Sequence, residues 1–352
     1  MAKFKLALGV LASLLFALAP AAAVHARDAN GKSSASKKHN TKKVKVVLRK
    51  GATAAPREKT VRRVVMVRGK RKVIYQKVSS VAVPMAAPMP TMGDLAGLNL
   101  TRDPLDLKSS VALVLDQANS EVLFEKNSNV ALPIASITKM MTGLVVVEAH
   151  QDMDELLTIT DEDVDRAKFS SSRLKVGSQL TRGNMLHIAL MSSENRAASA
   201  LGRNYPGGLP AFVDAMNSKA RQLGMMDTHY VDSSGLSKMN VASARDLGKL
   251  AMAAFRHPLL REYSTDPKAI VEASGQPMQF GNTNHLVANP GWEIGLQKTG
   301  FINEAGRCLM MQAVIEGRAV IMVFLDSKGK QSRTADAGRM RKWLEALKPA
   351  HM

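Results

Sequence analysis

The sequence has 352 residues but only one cysteine, Cys308, and 4% aromatic residues. A single cysteine excludes an intramolecular disulfide, whatever the redox state of the compartment. The eight histidines form no H-E-x-x-H pair, the helical spacing at which two histidines bind zinc and a glutamate acts as base. We therefore expect no metal site and no cofactor. Cys308 itself stands in an apolar segment and is expected to be a buried strand thiol.

Acidic residues are scarce in the first part of the chain. Residues 1–97 hold 3 Asp or Glu against 20 Lys or Arg, whereas residues 98–352 hold 27 against 29. The net charge of +19 therefore belongs almost entirely to the N-terminal part. A segment so rich in Lys, Arg, Ser and Ala buries too little apolar surface to fold around a core. We expect residues 27–104 to form a basic, low-complexity, disordered linker, in which residues 63–67 and 72–76 can pair as a marginal hairpin around Gly69.

The N-terminus lacks an apolar run of membrane-spanning length. Lys3 and Lys5 precede 13 apolar residues at 6–18, and small residues flank a cleavage point after Ala26. This is the pattern of a secretory signal peptide, and the run is shorter than the roughly 20 residues of a membrane span. We expect a signal peptide at residues 1–26, cleavage after about Ala26, and a periplasmic protein. An uncleaved anchor is the alternative interpretation.

Three short motifs follow one another in the second part of the chain. S-x-x-K stands at Ser136 and Lys139, S-x-N at Ser193 and Asn195, and K-T-G at residues 298–300. This set is typical of penicillin-binding proteins and class A β-lactamases. S-x-N and K-T-G each occur once, but S-x-x-K also occurs at three other serines, which are Ser34, Ser172 and Ser327.

Position separates Ser136 from the other three serines. Ser34 lies in a lysine-rich segment and Ser327 in the turn 326–330, so both are expected in solvated loops, and Ser172 lies in a polar loop that could border a cleft. Ser136 instead precedes an apolar run at residues 140–147. Such a run predicts a buried helix that begins near the serine.

The spacing of Ser136 and Lys139 has a chemical meaning. Residues three apart lie on one face of a helix, so the lysine amine can reach the serine hydroxyl. A lysine at its free pKa near 10.4 is protonated, but burial and a second cation, for which Lys298 is a candidate, both lower that pKa. The helix N-terminus also favours an oxyanion. A serine and lysine so arranged suit acyl transfer. The motif alone favours a helix cap and a surface lysine, but the other two motifs reverse that preference.

The K-T-G motif ends a strand-like run at residues 292–297. Gly300 allows another backbone to approach closely at this point. A substrate strand can therefore be expected to dock on this edge.

Three stretches, residues 191–198, 230–236 and 296–303, resemble the D-alanyl-D-alanine endopeptidases of the penicillin-binding protein 7 group. The resemblance extends over about residues 105–346. It implies that Ser136 is the acylated nucleophile, that Lys139 is its general base, and that Ser193 relays a proton to the leaving amine.

The same resemblance implies the substrate contacts. Asn195 would hold the substrate amide, and Lys298, Thr299 and Gly300 would bind carboxylate or acceptor groups. The oxyanion hole would consist of the backbone N–H groups of Ser136 and Phe301.

The reaction implied is cleavage of D-alanyl cross-links in peptidoglycan through an acyl-enzyme, with β-lactams acylating Ser136. A D-Ala-D-Ala carboxypeptidase is the first alternative. Two features favour the endopeptidase. Phe301 stands in place of the histidine common in those carboxypeptidases, and the chain ends soon after the last predicted helix. A class A β-lactamase, which needs a water-activating glutamate such as Glu162 or Glu148, and a non-catalytic wall-binding protein remain further alternatives.

The order of predicted elements indicates an α+β fold over residues 105–352. Strand pairs at 110–115 with 121–124 and at 309–315 with 320–325 enclose predicted helices at 184–191, 196–203, 209–223 and 244–255, and a last helix covers 334–347. Hairpins at both ends around central helices predict an antiparallel sheet flanked by helices, with a mostly helical subdomain. The family named above has this β-lactamase/D,D-peptidase fold.

Two interpretations of the basic segment remain open. It either contacts an anionic envelope surface or serves as a solvated spacer that keeps the enzyme within reach of the wall. Nucleic-acid binding would account for the charge too, but it does not fit an exported protein.

Overall fold

The structure, a computed structural model, describes residues 58–67, 70–79 and 89–347. The chain divides into two units, Met1–Met85 and Ala86–Met352. The described part of the first unit is an antiparallel hairpin of β1 (Glu58–Val67) and β2 (Lys70–Ser79), paired without interruption from end to end. The hairpin predicted around Gly69 is therefore present. The expected signal peptide and the rest of the linker up to residue 57 lie outside the described residues and stay predictions.

The described residues of the second unit contain eleven strands and eight helices. The strands are β3 (Ser109–Asp116), β4 (Val122–Lys126), β5 (Leu132–Pro133), β6 (Leu156–Thr158), β7 (Gln179–Thr181), β8 (Val241–Ala242), β9 (Lys268–Ala273), β10 (Gln276–Gly281), β11 (Glu293–Ile302), β12 (Gly306–Ile315) and β13 (Arg318–Ser327). The helices are α1 (Met92–Leu95), α2 (Thr138–Glu148), α3 (Arg182–Met191), α4 (Asn195–Arg203), α5 (Gly208–Gln222), α6 (Ala244–Phe255), α7 (Pro258–Thr265) and α8 (Ser332–Ala346).

A five-stranded antiparallel sheet organises this unit, in the order β11-β12-β13-β3-β4. Side chains alternate between the two faces of a strand, so each face builds its own core. Ala112 and Val114 pack with residues of α8 on one face, while Val111 and Leu113 join the helical core on the other. All of β3 is buried, which explains why residues 111–115 are continuously apolar rather than alternating. The predicted α+β fold is confirmed.

Helix α2 is the centre of the helical subdomain. Residues 138–146 are all buried, and α2 contacts α3, α4, α5 and α6. A helix that is apolar all round lies inside a core, and this placement also buries Lys139, the one charged side chain among those nine residues. In the described residues, no helix combines the length and the apolar character that crossing a membrane requires.

Ordered structure begins before residue 105, where we had set the start of the domain. Thr91 and Asp94 cap each other across the first turn of α1, and Asp94 lies 2.5 Å from the Lys328 ammonium. The Met92 amide donates to the Glu304 carbonyl at 2.9 Å. These tertiary contacts fix a segment that is too short and polar for its periodicity to be informative.

Ser327 lies at the buried end of β13, not in a solvated turn as we expected. Its hydroxyl donates to the buried carboxylate of Asp336 on α8 at 3.4 Å. The same carboxylate accepts hydrogen bonds from the amide and the hydroxyl of Ser109 at 2.8 and 2.6 Å. The short polar segment 326–330 gave no indication in the sequence that Ser327 connects the sheet to α8.

Candidate active site

Ser136 lies in a single 3-10 turn, Ala135–Ile137, directly before α2. Ala135 has φ of +48°, a left-handed conformation that costs a residue with a Cβ roughly 1–2 kcal/mol. The Thr138 hydroxyl donates to the Ala135 carbonyl at 2.8 Å. Gly235, at φ of +81°, packs so closely on that carbonyl that an added Cβ would overlap it. Tertiary contacts therefore hold the strained turn that presents the serine.

The amine of Lys139 is bonded on three sides. Its Nζ lies 2.9 Å from the Ser136 Oγ, 2.7 Å from the Asn195 Oδ1 and 2.6 Å from the Ser234 carbonyl oxygen. The last two atoms can only accept hydrogen bonds. A neutral amine has two hydrogens for these oxygens, and its lone pair then faces the Ser136 hydroxyl. This is the arrangement that a general base requires.

Burial favours the neutral form of the Lys139 amine. Complete burial lowers the pKa of Lys139 to about 7, although the nearby carboxylates of Asp232 and Glu194 oppose the shift. Glu194 is itself almost fully buried, and its Oε1 has no hydrogen-bond partner in the described part of the chain. A substantial fraction of Lys139 is therefore unprotonated at neutral pH.

Lys298, on β11, is also fully buried. Its pKa lies well below the ordinary value because of burial first, and then because of the positive charges of Lys139 and Arg333. Its Nζ donates to the Thr299 carbonyl at 3.0 Å. We expected burial and a second cation, with Lys298 as the candidate, to lower the pKa of Lys139. Burial has this effect, whereas Lys298 does not contribute and is itself shifted toward the neutral form.

The two residues of the S-x-N motif have different surroundings. Asn195 begins α4 and bridges two groups, since its Oδ1 accepts from Lys139 and its Nδ2 donates to the Ser170 hydroxyl at 3.0 Å. Ser193 is half-buried, has φ of +62°, and its hydroxyl makes no hydrogen bond with any described residue. The structure thus joins Asn195 to Lys139, while the Ser193 hydroxyl has no bonding partner there.

Strand β11 reaches the serine through Gly300. A Cβ at this position would lie 2.8 Å from the Ile134 carbonyl oxygen and 3.1 Å from the Ser136 amide nitrogen. Because β11 is the first strand of its sheet, its free edge can pair with an extended peptide. The neighbouring Thr299 hydroxyl lies 2.6 Å from that of Thr283.

Phe301 follows Gly300, and the residue is 49% exposed. The Arg307 guanidinium lies over the Phe301 ring, 4.5 Å from its centre. Phe301 is the next residue after Gly300, whose backbone approaches the Ser136 amide. The N–H groups of Ser136 and Phe301, which are predicted to form an oxyanion hole, therefore belong to segments that contact each other.

A hydrogen-bonded turn around Asp232 was not predicted from the sequence. The Asp232 carboxylate accepts from the amides of Ser234, Gly235 and Ser237 at 2.7, 2.6 and 2.9 Å. This turn directs the Ser234 carbonyl at Lys139. Residues 230–236 contributed to the family resemblance, but we assigned no role to any of them.

Two further side chains of the site were missed. Arg333 donates to the carbonyls of Gly300 and Cys308 at 2.8 and 3.2 Å, and burial lowers its pKa to about 10. Ser170, the partner of Asn195, comes from the polar loop that we expected could border a cleft. Nothing in the sequence marks Arg333, because its partners are backbone atoms of distant strands.

A cavity of about 550 Å³ lies next to the partners of Lys139, with Asn195 and Ser234 in its wall. On its rim, an ion pair between Lys168 and Glu304 joins the 165–170 loop to the turn between β11 and β12. Within the described ranges, no three His, Cys, Asp or Glu side chains are grouped closely enough to bind a metal ion. Cys308 is a buried thiol on β12, as expected, and burial raises its pKa to about 12.

A buried lysine against a serine hydroxyl, on an antiparallel sheet flanked by helices, defines a serine hydrolase of the β-lactamase/D,D-peptidase fold. A sequence model of peptidase family S11, described as D-alanyl-D-alanine carboxypeptidase, matches residues 99–329. The chain therefore belongs to peptidase family S11.

Relatives support this assignment. The chain is 47% identical to a D-alanyl-D-alanine endopeptidase of Pseudomonas aeruginosa over 76% of its length and 84% of the relative's. It is 42% identical to one of Escherichia coli K12, over 69% and 79%. Among solved structures, the Streptomyces K15 DD-transpeptidase matches with a TM-score of 0.65 and 26% identity, over 70% of this chain and all of that one.

The close approach at Gly300 leads to a first prediction. Gly300→Ala places a methyl group against the Ile134 carbonyl and the Ser136 amide, so β11 must move away from the serine. Since a displacement near 1 Å can cost about 10²-fold in rate, we expect acylation by a fluorescent penicillin to slow by that order, as followed in a gel time course. Gly338→Ala, in α8 where nothing lies within 4 Å, is the control. Labelling of the Gly300 variant at the wild-type rate would contradict the prediction.

Proposed function

We propose that this protein is a serine D,D-endopeptidase that cleaves D-alanyl cross-links in peptidoglycan through an acyl-enzyme and is inhibited by β-lactams. The observation that carries the proposal is the buried Lys139 amine, whose lone pair faces Ser136 while two acceptors take its hydrogens. The two relatives described above carry the name D-alanyl-D-alanine endopeptidase, which supports this substrate class.

In the proposed acylation, the Ser136 Oγ attacks the carbonyl carbon of the D-alanyl residue while its proton passes to Lys139. The backbone N–H groups of Ser136 and Phe301 stabilise the resulting oxyanion. The C–N bond then breaks, and the departing amine takes a proton that Lys139 supplies through Ser193. The uncommitted hydroxyl of Ser193 suits this relay, because it is free to donate in one direction and accept from the other.

The proposed substrate contacts follow from the same geometry. Lys298 and Thr299 would bind the carboxylate side of the substrate at the edge of β11. The Asn195 Nδ2 donates one hydrogen to the Ser170 hydroxyl, and its second hydrogen is available to the substrate amide. Its established contact is with Lys139, so holding the base is the first part of its proposed role.

Two glutamates were considered as activators of water in a β-lactamase. Glu148 ends α2 and forms an ion pair with Lys219. Glu162 has a side chain that is 79% exposed beside Arg203. Neither makes a hydrogen bond with Ser136 or Lys139, so we expect a β-lactam adduct to deacylate slowly.

Digestion of purified cross-linked muropeptides tests the proposal. We expect the wild-type protein to convert dimers to monomers and to form a stable adduct with fluorescent penicillin, since one serine carries out both reactions. Ser136→Ala should abolish both, as seen by chromatography and gel fluorescence. Release of D-alanine alone with dimers left intact would identify a carboxypeptidase, and rapid turnover of nitrocefin would identify a β-lactamase.

The pKa of Lys139 predicts the pH dependence of acylation. The free amine is the active form, so the second-order rate constant for a β-lactam should fall about tenfold per unit below pH 7 and level off above it. Glu194→Gln removes a carboxylate that favours the charged amine, so the midpoint should move to lower pH. Stopped-flow acylation between pH 5 and 9 measures both. A rate that is constant over this range would exclude Lys139 as the base.

We further propose that the protein is exported to the periplasm, where its basic N-terminal segment binds anionic envelope surfaces. The charge asymmetry between residues 1–97 and 98–352 supports this proposal. Binding to vesicles with anionic lipids should weaken with salt and disappear when residues 27–97 are deleted. Equal binding of both forms would leave the spacer interpretation.

A further inference from the structure

A groove of about 1150 Å³ begins where the strand that carries the K-T-G motif ends. Phe301 and Arg307, at the ends of β11 and β12, form one part of its wall, and residues 99–110 and 327–329 form others. Nothing in the mechanism above uses this groove. Its position makes it an extension of the substrate edge, because Phe301 directly follows the glycine that touches the Ser136 turn.

The carboxylates that line the groove are already neutralised. Each of the three is paired with a lysine of the same wall, namely Asp94 with Lys328 at 2.5 Å, Asp103 with Lys126 at 2.9 Å and Asp106 with Lys108 at 2.8 Å. These pairs leave no acidic group of the wall available to a ligand.

Two guanidinium groups of the same wall remain uncommitted. Arg102 and Arg307 have no ion-pair or hydrogen-bond partner for their side chains in the described part of the chain. The Arg307 guanidinium lies over the Phe301 ring, and its positive charge is among the causes that lower the pKa of Arg333. The groove therefore offers unneutralised positive charge at its active-site end.

Guanidinium groups bind carboxylates in a planar, bidentate manner. The stem peptides of peptidoglycan carry free carboxylates on γ-linked glutamate and on diaminopimelate, within two or three residues of the D-alanyl bond. Two residues of extended chain span about 7 Å, and the Cα atoms of Gly300 and Phe301 are about 3.8 Å apart. A stem peptide paired with β11 would therefore bring such a carboxylate to the groove.

We propose that this groove is a binding subsite for a stem-peptide carboxylate, with Arg307 as the specificity-determining residue and Arg102 as its support. The inference rests on the proposed function, since it names a further part of the same substrate. The Phe301 ring holds the Arg307 guanidinium by a cation–π contact, which uses none of its N–H donors, so these stay available to the carboxylate.

The test compares two cross-linked peptide dimers, one with free carboxylates and one with these groups amidated. A hydrogen bond to a charged group contributes about 1.5–3 kcal/mol, or roughly 10–100-fold in affinity. Arg307→Gln should raise KM for the free-acid dimer by that factor, with kcat and the KM for the amidated dimer nearly unchanged. Arg102→Gln, at an exposed position where no folding defect is expected, should give a smaller change of the same kind. Acylation by fluorescent penicillin should stay at the wild-type rate in both variants.

Lys108→Gln is the matched control, because it removes a positive charge from the same groove at a residue that is paired with Asp106. If it raises KM as much as Arg307→Gln does, the effect is one of long-range charge and the subsite is excluded. An equal loss on free-acid and amidated dimers, or no loss on either, would also overturn the inference.

Binding of fluorescently labelled dimers to Ser136→Ala, measured by anisotropy, separates this inference from the proposed function. If the wild-type protein fails to cleave dimers, only the endopeptidase proposal is refuted. If Ser136→Ala binds the free-acid dimer more tightly than the amidated dimer, and Ser136→Ala/Arg307→Gln does not, the subsite is supported even without cleavage. If Ser136→Ala binds the two dimers equally, the subsite is refuted.

Discussion

The contact on which this site depends is the one between the Lys139 amine and the Ser136 hydroxyl. Removing a lysine from water disfavours its charged form, and complete burial lowers the pKa of Lys139 to about 7. The burial exists because α2 is buried on every face over residues 138–146 and lies at the centre of the helical subdomain. The Asn195 and Ser234 oxygens satisfy the two hydrogens of the neutral amine. The burial of α2 that forms the core of the domain is therefore also what makes Lys139 able to activate the serine.

Close backbone approaches fix the serine relative to this amine. The left-handed Ala135 is held by Gly235 on one side, and Gly300 brings β11 against the Ser136 amide on the other. Asp232 closes the turn that contains Gly235 and also directs the Ser234 carbonyl at Lys139. A strained residue persists only where its surroundings determine it. The segment 232–235 thus both holds the turn and positions the base, while β11 holds the turn from the other side.

Periodicity and motif order predicted much of the fold and the site. The two hairpins, the predicted helices and the contact between Ser136 and Lys139 are all present, whereas the contact of Lys139 with Asn195 was not predicted. Pairing of β13 with β3 closes the sheet over 200 residues of sequence, so no local pattern can encode it. The helix α7 and the hairpin of β9 and β10 were missed because they are short and lie between the predicted helix at 244–255 and the strand-like run at 292–297. Arg333 and Ser170 act through partners far away in the chain, which only the folded structure brings together.

The two buried lysines differ from the sequence expectation in a way that bears on catalysis. Without substrate, Lys298 is shifted toward its neutral form by burial and by the charges of Lys139 and Arg333. A carboxylate bound beside Lys298, in the role proposed above, would favour its charged form. A charged Lys298 would then lower the pKa of Lys139 and increase the fraction of free amine. The second cation predicted from the sequence would thus arise when the substrate binds, which couples recognition of the carboxylate to activation of the serine.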